Sequence, residues 1–363
     1  MTEEKLTIKV PGKLMIAGEY ALLEAYQRSI VMAVDRFVYA TIQSRTENRV
    51  SLPKLNLNNL PWEIKNNDIH IVTTDKRVNF VENAMRVAYH YIVEQKQPFR
   101  HFDLSTNSEL DDESGIKYGL GSSAAVVTAV IKAILQKHDI ACAPKLLFKL
   151  AAIAHVETQG SGSGADVAAS SFGGMLAYTS FQVEWLKGAH DNATSWTELV
   201  EQDWPYFSVK SIELPTDIHM LIGWTGSPAS TKQFLKKIEL LKEQDVYQQF
   251  IDQSAKAVDS IIEGIEASDS KQILAGIASN RKALAELGKQ AEADIETTGL
   301  KLLCDIAEQH GGAGKPSGAG GGDCGIGFFL DRRKAEQVMQ AWDNGGVRPL
   351  SLSLYPFGAE AEE

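Results

Sequence analysis

The stretch Gly119-Leu120-Gly121-Ser122-Ser123-Ala124-Ala125 brings into one turn the residue types that phosphate chemistry needs. Glycines let a backbone approach a bulky anion and adopt angles that other residues avoid. The adjacent hydroxyls of Ser122 and Ser123 can each reach a phosphate oxygen or a metal-bound water. Residues 126–135 follow, apolar nearly all round, and read as a buried helix. A glycine-rich turn feeding a helix start aims N–H groups and the positive end of the helix dipole at one point, which suits a phosphate. No Gly-Lys-Ser/Thr closes the turn, so it is not a Walker A loop. Taken alone, the same residues describe equally well a serine-capped buried helix after a tight turn.

Other residues of chemical interest lie far along the chain. Lys13 follows Pro11-Gly12 and precedes an apolar run that ends in Gly18-Glu19-Tyr20. A lysine beside a buried strand can act as a rigid point charge for phosphate, whereas the bland reading of Lys13 and Glu19 is solvated surface charge. Asp166 comes just after the small-residue loop Gly160-Ser161-Gly162-Ser163-Gly164, where it either caps a helix or supplies a carboxylate to a site. His155, on the helix leading into that loop, reads as a buried structural histidine in preference to a substrate donor. A hydroxyl-rich turn at 223–231 holds Ser227 and Ser230. A third glycine run is Lys315-Pro316-Ser317-Gly318-Ala319-Gly320-Gly321-Gly322-Asp323-Cys324.

The elements expected to position these residues follow from periodicity and breakers. Residues 6–10 alternate as a half-buried strand that Pro11-Gly12 is expected to break, and 29–34 and 37–44 read as two further strands. Residues 45–77 are polar and turn-rich, a surface hairpin excursion with no chemistry assigned. Helical spacing marks 79–95, and a helix from Pro144 to near Gly160 has proline at its start and glycine at its end. A polar loop is expected at 105–114. The domain boundary is expected near 205, giving units 1–207 and 208–363. The second unit reads as a strand at 218–222, helices at 231–243, 246–267, 270–287 and 295–309, then strand 326–330, helix 332–343 and strand 347–354.

Composition sets the limits. The 363 residues are 44% hydrophobic and 23% charged, as in ordinary globular proteins, and suffice for two domains. A formal net charge of −11 argues against nucleic acid or an anionic membrane surface as a partner. The first residues lack a signal-peptide core, and the longest apolar run is too short for a bilayer and carries Lys132. Cys142, Cys304 and Cys324 are widely spaced and odd in number, so no metal or disulfide framework follows and a reducing cytoplasm is expected.

In their order along the chain, Pro11-Gly12-Lys13 through Gly18-Glu19-Tyr20, Gly119 through Ala125, and Lys315 through Cys324 resemble the three signature motifs of the GHMP kinase superfamily. Three such loops spread along nearly the whole chain settle the second one as a nucleotide-phosphate loop. Within the superfamily the chain is most similar to the bacterial phosphomevalonate kinase family. Tyr20 stands where mevalonate kinases usually have His, Asp323 stands where they usually have a further Gly, and the Trp224-Thr225-Gly226 turn is similar too. The resemblance implies an α+β, two-domain GHMP kinase fold. Its N-terminal domain would be ribosomal protein S5 domain 2-like, with an unusual left-handed crossover, and its C-terminal domain ferredoxin-like.

The resemblance also implies a chemistry. ATP would lie along Gly119, Leu120, Gly121, Ser122, Ser123 and Ala124, with Mg²⁺ near Ser122 and Ser123. Lys13 and Asp166 match the family's catalytic pair. The acceptor, phosphomevalonate, would meet Tyr20, Ser161, Ser163, Ser227, Ser230 and an anion nest at Ser317, Gly318 and Ala319. The protein would work as a monomer or homodimer. A phosphomonoester has its second pKa at about 6, so its attacking oxygen is mostly deprotonated at pH 7. A general base is then hardly needed, which makes Lys13 the main stabiliser of the transition state and leaves Asp166 to orient Lys13 or hold water and metal. The competing readings are a kinase for mevalonate, homoserine or a sugar, and a catalytically silent binding module. Retention of Lys13, Ser122, Ser123 and Asp166 counts against the silent module.

Overall fold

The computed structural model describes residues 5–45, 47–112, 114–227 and 231–362. Its spine is the antiparallel pair β1 (Lys5–Ala17) and β2 (Arg28–Ser44). Pro11-Gly12 does not break β1, contrary to the sequence-based expectation. The strand runs on through an irregularity in which Pro11 faces Phe37 while Gly12 faces Val34. Asp35 and Arg36 are the extra residues on β2, so the strands expected at 29–34 and 37–44 are one bent strand. A bulge accommodates a proline without loss of the sheet and re-aims the side chains beyond it, here Lys13.

The polar excursion is a set of short strands, β3 (Arg49–Leu52), β4 (Leu57–Lys65) and β5 (Asp68–Ile71). Next come α1 (Asn79–Glu94) and β6 (Phe102–Ser108), the latter reaching into the stretch expected to be loop. Helices α2 (Ser122–Lys137), α3 (Pro144–Gln159) and α4 (Ala165–Phe172) follow. Then come β7 (Met175–Thr179), α5 (Val183–Asn192), α6 (Trp196–Glu201) and β8 (Ser208–Ile212). Helix α2 packs on β1 and β2 and is flanked by α1, α3 and α4. That enclosure explains its apolar sequence: Ala124, Ala125, Val127, Val130, Ile131 and Ile134 are all fully buried. The bend divides the work of β2, whose first half pairs with β7 and whose second half pairs with β6.

The rest of the chain runs β9 (His219–Trp224), α7 (Thr231–Glu239), α8 (Asp245–Ala267), α9 (Ser270–Gln290) and α10 (Thr298–Gln309). It continues β10 (Ala313–Pro316), β11 (Cys324–Phe329), α11 (Arg332–Asn344), β12 (Arg348–Leu350) and β13 (Glu360–Ala361). The second sheet is antiparallel with order β10-β11-β9-β12. Numbered within this sheet the order is second, third, first, fourth, the ferredoxin-like arrangement. The large sheet has order β13-β1-β2-β6-β3-β4-β5, with β7 added on β2 and β8 on β7. Thus β8, just after the expected division at 207/208, hydrogen-bonds within the large sheet, and the C-terminal segment returns to it through β13 and a bridge between Val34 and Leu354.

Candidate active site

Two glycine loops, the turn before α2 and the third glycine run, meet strand β1 at Lys13. The backbone N–H of Lys13 donates to the Leu120 carbonyl at 2.9 Å, and its Nζ donates to the Gly119 carbonyl at 3.1 Å. The lysine leaves the bulged part of β1 half-buried and points into the turn before α2. A Cβ built on Gly318 would lie 3.8 Å from its Nζ, so the third glycine run borders the same cation.

The turn itself is built from constrained glycines. Gly119 has φ +80°, and a Cβ there would sit 2.6 Å from the Asp323 carboxyl, which packs directly on it. Gly121, at φ +77°, is the N-cap of α2, and a Cβ there would meet Lys13 Cγ at 2.9 Å and Asp166 Cβ at 3.3 Å. Lys13 and Asp166 therefore flank Gly121. Neither serine caps the helix: they are its first two residues, and no side chain bonds the end of α2. The first backbone bond of the helix is Ala125 N–H to the Gly121 carbonyl, which leaves the N–H groups of the first turn for an anion.

Ser123 Oγ lies 3.2 Å from His155 Nε2. His155 is 3% exposed and its ring packs against Phe80, so it is buried as the sequence suggested, yet it also holds a hydroxyl of the phosphate turn. Asp166 stands in the first turn of α4, whose N-cap is Gly164, and its Oδ1 accepts from the Val167 N–H at 3.0 Å. It does not cap the helix, and among the described residues no ion pair joins it to Lys13; the Gly119 carbonyl is the partner that aims the lysine.

The expected acceptor residues are placed unevenly. Ser161 is exposed beside the Asp166 loop, and Ser163 is held there by Tyr178 and Ser180, whose hydroxyls donate to its carbonyl at 2.6 and 2.8 Å. Ser227 is exposed, and its carbonyl accepts from the Asp323 N–H at 2.7 Å, which ties the hydroxyl-rich turn to the third glycine run. Ser230 lies outside the described residues. Tyr20 is not open to a ligand: it is 5% exposed, in a cluster with residues of α7, α8 and α9, and its hydroxyl donates to the Ala319 carbonyl. Burial, with the Glu19 charge beside it, holds its phenol well above the ordinary tyrosine range. The nest expected at 317–319 is largely closed. The Ser317 N–H donates to the Cys324 carbonyl, the Gly318 N–H to Glu19 Oε1, and Ser317 Oγ to the Met15 carbonyl. N–H groups committed inside the protein cannot cradle a second anion. Glu19, read as surface charge in its bland reading, is 2% exposed.

A cavity of about 500 Å³ adjoins the turn on the side of Tyr118, walled by Arg36, Lys54, Asn107, Ser108 and Arg348, with the carboxylates of Asp35, Glu109 and Asp111 among them. The Arg36 guanidinium lies 4.8 Å from the Tyr118 ring centre. These residues were not singled out from sequence, because they come from β2, β6, β12 and the excursion and share no spacing. A more open hollow of about 550 Å³ along the β4–β5 hairpin contains none of the motif residues.

A glycine turn that opens a buried helix, a lysine and a carboxylate on either side of its last glycine, and a ferredoxin-like unit bringing a third glycine run to the same lysine define a two-domain small-molecule kinase. The chain belongs to the GHMP kinase family: the model of the GHMP kinases N-terminal domain matches residues 79–174, and that of the C-terminal domain matches 261–348. It is 32% identical to the phosphomevalonate kinase of a Streptomyces species over 97% of this chain and 98% of that one. A crystal structure of a Listeria innocua protein superposes with a TM-score of 0.93 at 35% identity, covering 99% and 100% of the two chains. The Streptococcus pneumoniae phosphomevalonate kinase in complex with phosphomevalonate and AMPPNP superposes with a TM-score of 0.84 at 26% identity, covering 96% and 99%. No helix among the described residues is long and apolar enough to cross a membrane.

Proposed function

We propose that this chain is a phosphomevalonate kinase, which moves the γ-phosphoryl group of ATP to the phosphate of 5-phosphomevalonate and releases ADP and 5-diphosphomevalonate. The observation that carries the reading is the convergence of two glycine loops on Lys13 of β1, beside an uncapped helix start. The 32% identical Streptomyces relative supports this acceptor over an alcohol.

An oxygen of the acceptor phosphate attacks the γ-phosphorus, and the bond from that phosphorus to the β,γ-bridging oxygen breaks. No proton has to be removed from a monoester whose second pKa is about 6. The obstacle is charge, and this chain meets it with Lys13 Nζ and the N–H groups of the first turn of α2. The nucleotide's phosphates lie over that turn, and the cavity beside Tyr118 takes its base and sugar. Ser161 and Ser163 border the acceptor from the Asp166 side, and Ser227 from the other. Tyr20, Ser317 and Ala319 act behind the site, as the frame of its wall.

Mg²⁺ fits this donor set. Among the described residues there is no group of three or more His, Cys, Asp or Glu side chains that could hold a metal by themselves. One or two hard protein oxygens completed by phosphate oxygens and water is the coordination Mg²⁺ favours. Ser122, Ser123 and Asp166 would hold it, and bound there it would neutralise charge on the β- and γ-phosphates. The unpaired state of Cys142, Cys304 and Cys324 suits a reducing cytoplasm.

The test is ADP release from Mg-ATP by the purified protein, with phosphomevalonate, mevalonate, homoserine and galactose as separate acceptors. Turnover confined to phosphomevalonate is expected. Turnover with mevalonate or another alcohol would overturn the acceptor and give Asp166 a proton to remove. ATP binding without turnover on any acceptor would favour the silent module.

A further inference from the structure

Glu19 and Lys315 form a charge pair sealed inside the protein. Lys315 is 0% exposed, Glu19 is 2% exposed, and Nζ lies 2.5 Å from Oε1. Lys315 Nζ also donates to the Pro316 carbonyl at 2.6 Å, and Glu19 Oε1 also accepts from the Gly318 N–H at 3.2 Å. The second oxygen, Oε2, is buried with no hydrogen-bond partner among the described residues. Two neighbours stitch the same seam, Ser317 Oγ to the Met15 carbonyl at 2.8 Å and the Tyr20 hydroxyl to the Ala319 carbonyl. Tyr20 does this from a backbone at φ 61°, ψ −48°, a region a tyrosine occupies only when its surroundings impose it.

Burying a paired charge is seldom the cheapest way to stabilise a fold, since apolar residues of similar volume often do as well or better. What the pair supplies here is a fixed position. Lys315 opens a run in which Gly318, Gly320, Gly321 and Gly322 all have positive φ, a backbone with much freedom to lose. Glu19 stands at the far end of the segment that begins with Lys13. Its Oε1 binds at once the lysine before the glycine run and the N–H of Gly318, the residue whose Cβ position lies 3.8 Å from Lys13 Nζ.

We infer that Glu19 and Lys315 are positioning residues for phosphoryl transfer, their buried pair holding the third glycine run at a set distance from Lys13 across the site. Neither touches a substrate. The inference rests on the kinase reading above.

The experiment combines kinetics with hydrogen exchange on the full-length protein. Glu19→Gln and Lys315→Met each leave one buried charge uncompensated, the double variant leaves none, and Glu19→Asp keeps the charge but withdraws it by one methylene. The expected result is a kcat about 100-fold lower for each neutralising single variant, the cost of a site displaced by about an ångström. The KM for ATP should stay within about threefold, because the α2 turn is untouched, and the double variant should recover most of kcat. Amide exchange in 315–323 of the protein without nucleotide should speed up in both single variants and return toward normal in the double. Should the single variants not fold, Glu19→Asp decides, with the same faster exchange and a lower kcat. Lower melting temperatures with kcat per folded molecule unchanged would overturn the inference, and so would unaltered exchange in 315–323 or a double variant no better than the worse single. Wild-type protein inactive on phosphomevalonate would sink the kinase reading instead, and the exchange comparison would still decide the positioning.

Discussion

Lys13 Nζ is aimed by the carbonyl of Gly119, 3.1 Å away and 106 positions along the chain, and not by a carboxylate. A cation held by a backbone dipole keeps its full charge for the anions it faces, whereas a carboxylate partner would cancel part of it. Lys13→Met should therefore lower kcat by about 10²–10³, the range for loss of one preorganised donor, with little change in melting temperature. Asp166→Asn should lose clearly less, since an already ionised acceptor needs no base. Steady-state kinetics with phosphomevalonate check both, and equal losses with substrate binding intact would refute this division of labour.

Gly121 separates steric from conformational effects at the site. Gly121→Ala puts a Cβ at φ +77°, 2.9 Å from Lys13 Cγ. The left-handed backbone costs about 1–2 kcal/mol. The contact is relieved by moving the lysine, so kcat should fall about 100-fold. Gly160→Ala is the control: φ +79°, but no atom within 4 Å of the added Cβ. Urea melts should show comparable destabilisation for the two variants, and kinetics should show a large loss only for Gly121→Ala.

How far the site could be read in the sequence follows from where each residue's partners lie. Local rules served α1 and α3: Pro144 and Gly160 bound α3 as expected, and the periodicity beginning at Asn79 gave α1. Local rules failed where a distant strand decides. Pro11-Gly12 and Asp35-Arg36 both look like breakers, yet each is the other's compensation in one bulged pairing. Lys315 and Pro316 read as the start of a glycine run because only β11, beyond the run, makes 313–316 a strand. Glu19 looked like surface charge because its counter-ion is 296 positions away. The ordered set of three motifs is legible; the meeting of the second and third with β1 at Lys13 is visible only through the resemblance, and the engagement of the 317–318 N–H groups is not visible at all.

The donor set predicts how the protein handles metal. Without nucleotide, Ser122, Ser123 and Asp166 offer too few charged oxygens to strip water from Mg²⁺. Equilibrium dialysis of nucleotide-free protein should find no stoichiometric Mg²⁺ at micromolar concentrations. Chelation should abolish turnover, and added Mg²⁺ should restore it as the Mg-ATP complex forms. Tight binding of Mg²⁺ to the protein alone would require a ligand set other than this one.

His138 gives the fold a defined response to acid, away from the site. It is 2% exposed, its Nε2 accepts from the Arg100 N–H at 2.9 Å, and its Nδ1 is 2.8 Å from the Ile134 carbonyl. That pattern requires neutral imidazole with the proton on Nδ1. Burial, aided by the charges of Arg100 and Lys137, outweighs the hydrogen bond to the Ile134 carbonyl and the charge of Asp139, and lowers its pKa below the ordinary 6.5. On acidification the unfolded chain therefore takes up the proton first, and protonation favours unfolding. The contribution of His138 to stability is complete above about pH 6.5 and is lost as pH falls toward the lowered pKa. Removing the histidine should remove this dependence. The unfolding free energy of wild type should exceed that of His138→Gln near pH 7.5, and the gap should narrow toward pH 5 by at most about 1.4 kcal/mol per pH unit, the limit for one proton. Urea melts of both proteins across that range check it, and a gap independent of pH would mean that His138 titrates alike in the folded and unfolded chains.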